Sequence, residues 1–436
     1  MAKIFKSSKK PAARRSAQPA PAQPQRLEIV RLADDGRGVA HCDGKVVFVE
    51  NALPGEVVSA QWQRRQKRFD EALAIEILTP SPQRQSPACQ HAANCGGCQL
   101  QHLQPGAQRD HKRERLQSIL RAQGGAAEVR LLSGDDLGYR HRARLSYRAG
   151  HLGFRAAASH QLIDIQQCPV LEPPLEQAVL ASRAVLLKAL QSKKSAELHF
   201  AVDDEGRIGL SLELQDPADM AWCEALKAAL QPLELHRVNA ANDAWEGGFA
   251  AMRYGGEWGV QFAPGDFSQA NRRLNAAMLE QAMQWLLPQA GEQVVDYFCG
   301  LGNFSLPLAA AGASVLALDM GEQMLARAAS QAAALGLTIE FARADLFNAD
   351  NIALRGAAKV LLDPPRAGAK AVCSELAASS AAQSLVYVSC DPASLTRDLS
   401  ILADGGFQIR DAVAVDMFPH THHLESMVWL SRPSAG

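Results

Sequence analysis

From Leu27 to Leu78 the chain alternates short apolar runs with polar turns: LEIVRL, GRGVAHCDGKVVFVE, LPGEVVSAQW and ALAIEIL. Alternation with period two buries one face of a strand and wets the other, so this stretch predicts a small β-barrel. From about Gln261 the pattern changes to apolar strands alternating with helices, beginning at QFAPGDFSQAN, which predicts a doubly wound α/β half. VVDYFCGLGNFSLPLA reads as an apolar strand ending at Asp296, a tight turn through Gly300 and Gly302, and an apolar helix. SVLALD ends a second strand at Asp319, while VLLDPPRAG and LVYVSCDPASLTRDL put Asp363 and Cys390 at the carboxyl ends of two more. Ligands bind at such strand ends in open α/β sheets. The expected architecture is therefore multidomain: an N-terminal β-barrel, a central α+β domain and a C-terminal Rossmann-like domain.

A chain of 436 residues, 47% hydrophobic and 21% charged, is long enough for two or three domains with substantial cores. It has no uncharged apolar run long enough to span a bilayer and no apolar segment at its amino terminus, so a membrane or secreted protein is not expected. Nine cysteines are too few for a disulfide scaffold, and their bunching suggests a metal or cofactor in a reducing cytoplasm. The net charge is -1, yet residues 1–25 hold six basic residues and no acid, which leaves -7 for the remainder. That arm, rich in Ala, Pro, Gln and Ser, is expected to be disordered, either near nucleic acid or as a plain solvated tail. Pro11, Pro19, Pro21 and Pro24 oppose the amphipathic helix of a transit peptide.

Two basic stretches point the same way. WQRRQKRF sets Arg64, Arg65, Lys67 and Arg68 between Trp62 and Phe69, which suits phosphates beside stacked bases. YRHRARLSYRAGHLGFR carries Arg140, Arg142, Arg144, Arg148 and Arg155 and no acid. Period two puts the first three on one face of a strand, as an RNA-facing stripe or as the charge that protects an edge.

PACQHAANCGGCQ, residues 87–99, has Cys89, Cys95 and Cys98 in a C-x5-C-x2-C spacing, with Gly96 and Gly97 letting the backbone fold around a bulky centre. Of the remaining cysteines Cys168 stands out, because it precedes Pro169 as in the cluster run of bacterial ferredoxins. Cys89, Cys95, Cys98 and Cys168 are thus candidate ligands of a [4Fe-4S] cluster. Structural zinc is the rival, held by the same four or with His91 or His102 replacing one.

Ser305 stands where the third glycine of G-x-G-x-x-G would be, which leaves an NAD enzyme only as an analogy of fold. An acid before G-x-G, followed by a strand ending in Asp319, instead resembles the class I S-adenosylmethionine methyltransferases. DGRGVAHCDGKVVFVENALPGEVV is similar to the TRAM domain, an OB-like RNA-binding module. FAPGDFSQAN, DYFCGLGNFSLPLA, LLDPPRAG, YVSCDPASLTRDL and HTHHLESM, with the cysteine set and the barrel, resemble the RlmD-type bacterial 23S ribosomal RNA uracil-5-methyltransferases over nearly everything after residue 25.

This resemblance implies a domain order: a tail (1–25), a TRAM domain (26–80), a central cluster domain (81–262, with part of 93–124 able to pack on the catalytic domain) and a methyltransferase domain (263–436). It implies methyl transfer from S-adenosylmethionine to carbon 5 of a uridine in 23S ribosomal RNA. Cys390 would add to carbon 6 of uracil and Glu425 would take the proton from carbon 5. Gln269, Phe298, Asn303, Asp319, Asp345 and Asp363 match cofactor-binding positions. Asp319 stands where glutamate is usual and Asp345 where asparagine is usual; the latter can accept but not donate a hydrogen bond. The target would be a single-stranded or locally opened loop, and the enzyme a cytoplasmic monomer with no membrane partner. Related activities remain alternatives: a tRNA or other ribosomal uracil-5-methyltransferase; a cytosine-5 enzyme, which would carry a P-C motif where this chain has DPPR; and a non-catalytic RNA-binding protein, which gives no reason for Cys390 and Glu425.

Overall fold

A computed structural model describes residues 23–157, 159, 161–348 and 355–433. The basic arm expected to be disordered, residues 1–25, lies outside the described residues apart from its last three positions. The chain forms two compact units, one ending at Arg84 and the other beginning at Gln85.

The first unit holds β1 (Gln25–Glu28), β2 (Arg31–Leu32), β3 (Gly38–Cys42), β4 (Lys45–Glu50), β5 (Val57–Arg65) and β6 (Phe69–Thr79). They form one sheet in the order β1-β5-β6-β4-β3-β2. Its two ends are consecutive in sequence: β1 pairs with β5 and β2 pairs with β3, so the stretch 25–32 joins both edges and closes the barrel. The alternating inward residues Leu27, Val47, Val49, Val58, Ala60, Trp62, Ala72 and Ala74 share one core. Closure also removes exposed strand edges.

In the second unit a cysteine-bearing loop leads into α1 (Pro105–Ala122) and β7 (Arg130–Leu132). A seven-stranded sheet follows, built from β8 (Arg142–Arg148), β9 (His151–Arg155), β10 (Leu162–Asp164), β11 (Ser195–Val202), β12 (Ile208–Leu214), β13 (Glu234–Asn239) and β14 (Ala244–Glu246), in the order β10-β9-β8-β11-β12-β13-β14. Helices α2 (Pro173–Leu190) and α3 (Met220–Leu230) bury Leu175, Leu186, Leu190, Leu226 and Leu230 against Leu145, Tyr147, Leu198, Phe200 and Leu212. Ala143, Leu145 and Tyr147 face the core, which leaves Arg142, Arg144 and Arg148 on the opposite face. The expected arginine stripe is less bare than the local sequence suggests, because β11 brings Glu197 to within 3.5 Å of Arg144 and 3.2 Å of Arg155.

A short hairpin, β15 (Met252–Tyr254) and β16 (Val260–Phe262), leads to α4 (Arg272–Leu286), whose first turn is capped by Asn271 accepting from the Leu274 amide. The last layer contains β17 (Gln293–Tyr297), α5 (Ser305–Ala310), β18 (Ser314–Asp319), α6 (Glu322–Ala334), β19 (Ile339–Arg343), β20 (Lys359–Leu362), α7 (Lys370–Ala378), β21 (Ser384–Ser389), α8 (Pro392–Asp404), β22 (Gln408–Val415) and β23 (Glu425–Ser431). Its sheet runs β19-β18-β17-β20-β21-β23-β22-β7, with the first five strands parallel and β23 antiparallel to both its neighbours. Parallel strands buried on both faces need continuous apolar runs, which VLALD, KVLL and SLVYVS supply. The edge strand β7 and the α1 residues Leu116 and Leu120 belong to this layer although they precede the central sheet in sequence. Among the described residues no helix is long and apolar enough to cross a membrane.

Candidate active site

The parallel strands β17, β18, β20 and β21 end on one side of the sheet, and a cavity of about 480 Å³ opens there. Its wall includes every residue expected to hold the cofactor, Gln269, Phe298, Asn303, Asp319, Asp345 and Asp363, together with Cys390 and Glu425. The size suits a ligand of roughly nucleoside dimensions, within the range of about 300–1,000 Å³ usual for small-molecule sites.

The turn after β17 takes left-handed backbone at Phe298, Gly300 and Gly302, with φ of 64°, 54° and 83°. Glycine adopts that region freely, whereas Phe298 must be held there. The Gly300 amide donates to Asp319 at 3.1 Å and the Gly321 amide does so at 2.8 Å, so the carboxylate is fixed with lone pairs to spare for a diol. Ser305, the departure from the third glycine, donates its hydroxyl to the fully buried Asp296 at 2.5 Å. The other oxygen of Asp296 has no hydrogen-bond partner, and burial pushes its carboxyl up to about 7. Asn303 exchanges amide hydrogen bonds with Asn275 of α4 at 2.9 Å in each direction. Asp345 accepts from the Phe347 amide at 3.1 Å, and Phe347 lies 5.9 Å from the Phe298 ring. Carboxylates on the cavity wall at Asp319, Asp345 and Asp363, together with its apolar side chains, fit a cationic, ribose-bearing donor such as S-adenosylmethionine.

Sheet register sets the reacting groups. Ser389 pairs with Ser426 across the antiparallel β21–β23 ladder, so Cys390, one residue on, stands opposite Glu425, one residue back. Asp391 caps α8 by accepting from the Ser394 amide at 2.8 Å and Pro392 opens the helix, which ends β21 sharply and leaves Cys390 on the turn. Pro364 and Pro365 stiffen the loop after β20, and Gly368 donates its amide back to Pro365 at 2.8 Å, holding Asp363 and Arg366 at the cavity. Gln269 donates to Asp363 at 3.4 Å. Burial pushes the Asp363 carboxyl up to about 7. Burial, then the neighbouring Asp363, pushes Glu425 up to about 8 against the pull of Arg366 and Lys112. The Cys390 thiol is pushed up to about 12 by burial and by the charges of Glu425 and Asp363.

Cys89, Cys95, Cys98 and Cys168 line a second cavity, of about 320 Å³, with Arg140, Arg144 and Arg155 on its wall. The Gly97 amide points at the Cys95 sulfur at 3.5 Å and the His91 amide at the Cys89 sulfur at 3.4 Å. Gly96 is required sterically, because a Cβ there would come within 2.9 Å of the Arg155 carbonyl oxygen. Burial, and then the neighbouring cysteines, raise the thiols of Cys98 and Cys168 to about 11 and about 12, so the four sulfurs are near enough to feel one another. Among the described residues no three Cys, His, Asp or Glu side chains stand close enough to hold a single metal ion. His91 lines the cavity but its Nε2 already accepts from the Gln166 amide at 3.1 Å, and His102 is not on the cavity wall.

The cavity at the strand ends also includes Arg142 of the expected arginine stripe and residues without a role assigned from the sequence, Tyr254, Phe267, Arg366 and Phe418. Arg366 sits inside the quoted DPPR run, so its placement was the most readable; Phe418 arrives on a loop of no periodic pattern. Phe267 is 63% exposed with the Arg142 guanidinium 5.4 Å from its ring.

Comparison with known proteins agrees with the N-terminal barrel and the C-terminal methyltransferase fold. Residues 256–433 match the family described as tRNA (Uracil-5-)-methyltransferase, and residues 22–69 match the TRAM domain. The 23S rRNA (uracil(1939)-C(5))-methyltransferase RlmD of Chromohalobacter salexigens is 39% identical over 429 residues, covering 93% of this chain and 89% of that protein. The protein of the same name from Halomonas elongata is 40% identical over 449 residues, covering 94% and 90%. The solved tRNA (uracil-54, C5)-methyltransferase of Pyrococcus abyssi, in complex with S-adenosyl-L-homocysteine, shares the fold with a TM-score of 0.74 at 23% identity, over 93% of this chain and all of that one. By identity and coverage together, the chain belongs to the RlmD family of 23S rRNA (uracil-C5)-methyltransferases.

Proposed function

We propose that this protein transfers a methyl group from S-adenosylmethionine to carbon 5 of a uridine in 23S ribosomal RNA. The observation that supports the reading most is that Cys390, on the turn that ends β21, and Glu425, the first residue of the neighbouring β23, line one cavity with Asp319 and Asp363. Carbon 5 of uracil is a weak nucleophile. Addition of the Cys390 sulfur to carbon 6 makes an enolate, and carbon 5 then takes the methyl group from the sulfonium donor. Glu425 removes the proton from carbon 5, and the Cys390–carbon 6 bond breaks to restore the ring. Asp319 is assigned to the ribose hydroxyls, with Gln269, Phe298, Asn303, Asp345 and Asp363 completing the cofactor site.

RNA in which the target uridine carries fluorine at carbon 5 tests the sequence of steps. Glu425 cannot remove fluorine as a cation, so a covalent protein–RNA complex stable to denaturant is expected, dependent on Cys390 and on the methyl donor. Release of unmodified RNA with no complex would contradict addition by a thiol.

A pH effect follows from the environment of Glu425. The acceptor works ionised, and its carboxyl lies near 8 in the free enzyme, so the proton-loss step should speed up as pH rises through that region. Single-turnover release of methylated RNA at pH 7 is expected at about a tenth of its alkaline plateau. A flat rate from pH 6 to 9 would remove Glu425 as the acceptor.

The reading extends to the second cavity. Four thiols around a volume larger than one ion needs, with amide N–H groups aimed at two sulfurs and arginines nearby, support a [4Fe-4S] cluster over zinc. Cys89, Cys95, Cys98 and Cys168 would hold it. The cluster would brace the loop beside the arginine face, and methyl transfer requires no electron from it. Protein purified without oxygen should contain about four irons, absorb near 400 nm and lose both in Cys98→Ser; one tightly held zinc per chain would replace the cluster.

The exposed Arg144, Arg148 and Phe267, and in the barrel Arg65, whose guanidinium sits 4.6 Å over the Trp62 ring, are assigned to the RNA. The target base must leave any stack to reach Cys390, which calls for a single-stranded or opened loop. The working form is taken as a cytoplasmic monomer.

A further inference from the structure

The segment 416–424 joins β22 to β23, carries Phe418 to the catalytic cavity and ends at Glu425. Within it the Thr421 amide and hydroxyl donate to the Phe418 carbonyl at 3.3 and 2.8 Å, and the hydroxyl accepts from the His423 amide at 3.2 Å. His420 holds left-handed backbone, with φ of 65°, which a non-glycine residue keeps only when its surroundings enforce it.

The Leu100 amide donates to the His420 carbonyl at 2.9 Å and the Tyr139 hydroxyl to the Pro419 carbonyl at 3.3 Å, and the other side-chain contacts to this loop come from one face of α1. Gln108, Lys112 and Arg115 are spaced by four and three residues and so lie along a single stripe. The Lys112 ammonium, with no exposed side-chain surface, donates to Asp416 at 2.7 Å and to the Phe418 carbonyl at 2.9 Å. Gln108 accepts from the His420 amide at 2.7 Å, and its amide nitrogen lies 3.2 Å from His420 Nδ1 while donating to the Leu100 and Leu103 carbonyls. Arg115 donates to the His422 carbonyl at 2.7 Å, and Arg109 gives Asp416 a second partner at 3.1 Å. A buried ion pair is a poor route to stability, since well-packed apolar residues of like volume generally serve as well or better. Here the ammonium reaches past its counter-ion to a backbone carbonyl in the loop, which is a positioning contact.

We propose that Lys112, supported by Gln108, is a positioning residue for methyl transfer: it fixes the 416–424 loop and thereby the placing of Phe418 and of the proton acceptor Glu425. The inference rests on Glu425 having that role. Lys112 also acts on Glu425 through charge. The groups whose charges act on Glu425 are Asp363 and Arg366 from the loop after β20 and Lys112 from α1, with Cys390 opposite it; Asp363 favours its protonated form, and Arg366 and Lys112 favour its ionised form. Loss of the Lys112 charge therefore moves the pH limb of proton loss to higher pH.

The test uses the full chain with Lys112→Met, the double variant Lys112→Met/Asp416→Leu, and Gln108→Met. For Lys112→Met, kcat should fall by about tenfold or more, because small misplacements of a reacting group are costly, while KM for S-adenosylmethionine stays within about twofold. The alkaline limb of methylated-RNA release should shift upward. The double variant, which removes a buried carboxylate left with Arg109 as its remaining cationic partner, should recover thermal stability without recovering kcat. If Lys112→Met does not fold, Gln108→Met reads the same loop and should show the same split between kcat and KM. A wild-type kcat and pH limb in Lys112→Met, or a double variant in which kcat returns with stability, overturns the proposal and leaves the pair a purely structural one. Failure of the Glu425 assignment is read separately: Glu425→Gln would then turn over at the wild-type rate, whatever the Lys112 variants do.

Discussion

Cys390→Ala is expected to reduce methyl transfer by about 10⁴-fold or more while leaving S-adenosylmethionine binding within about twofold. Without a sulfur to add at carbon 6, no enolate forms and carbon 5 stays too electron-poor to attack the donor. Removal of the thiol should hardly disturb the cofactor site. The strand β21 ends in a turn set by Asp391 and Pro392, neither of which depends on the Cys390 side chain, and Asp319 is held by backbone amides. Burial, Glu425 and Asp363 raise the proton affinity of the Cys390 thiol in the free enzyme. Calorimetry of S-adenosylmethionine binding and a radiolabel transfer assay on one preparation check both halves. Turnover retained in the alanine variant would remove the nucleophile.

Glu425→Gln should behave differently: turnover lower by about 10²- to 10⁴-fold, with a covalent protein–RNA adduct accumulating on unsubstituted RNA. The substitution is gentle on the fold, because the buried carboxyl of the free enzyme, near 8, is largely protonated at neutral pH and glutamine has its shape and charge. Addition by Cys390 and methyl transfer can both proceed. The proton on carbon 5 then has no acceptor, so the sulfur cannot be eliminated and the methylated adduct persists. Denaturing electrophoresis with labelled RNA reads it directly. The adduct should be absent when Cys390→Ala is combined with Glu425→Gln; rapid release of methylated RNA by the single variant would assign proton removal elsewhere.

The parts of this site legible in the sequence are those fixed locally. Asp296, Asp319, Asp363 and Cys390 each close an apolar run before a turn-forming Gly, Pro or Asp, so their place at strand ends follows from the pattern. Glu425 has no such signature. It becomes notable only because β23 inserts antiparallel between β21 and β22, a topological fact that brings Glu425 opposite a residue 35 positions earlier. The part played by α1 is hidden for the same reason: PGAQRDHKRERLQSILRA is rich in charge, yet Gln108 and Lys112 are buried against partners some 300 residues away. The local sequence of the β8 arginines contains no acid, because their partner Glu197 lies on a strand paired by register rather than by proximity in sequence. Ser305 illustrates a departure from a motif with a local cause, since its hydroxyl secures the buried Asp296.

The most direct test of the central claim is methyl transfer from labelled S-adenosylmethionine to separate transcripts of 23S rRNA, 16S rRNA and tRNA, followed by nucleoside analysis. The expected result is label as 5-methyluridine in the 23S transcript alone. Label in tRNA, or recovered as 5-methylcytidine, would contradict the proposed substrate while keeping the fold and the donor.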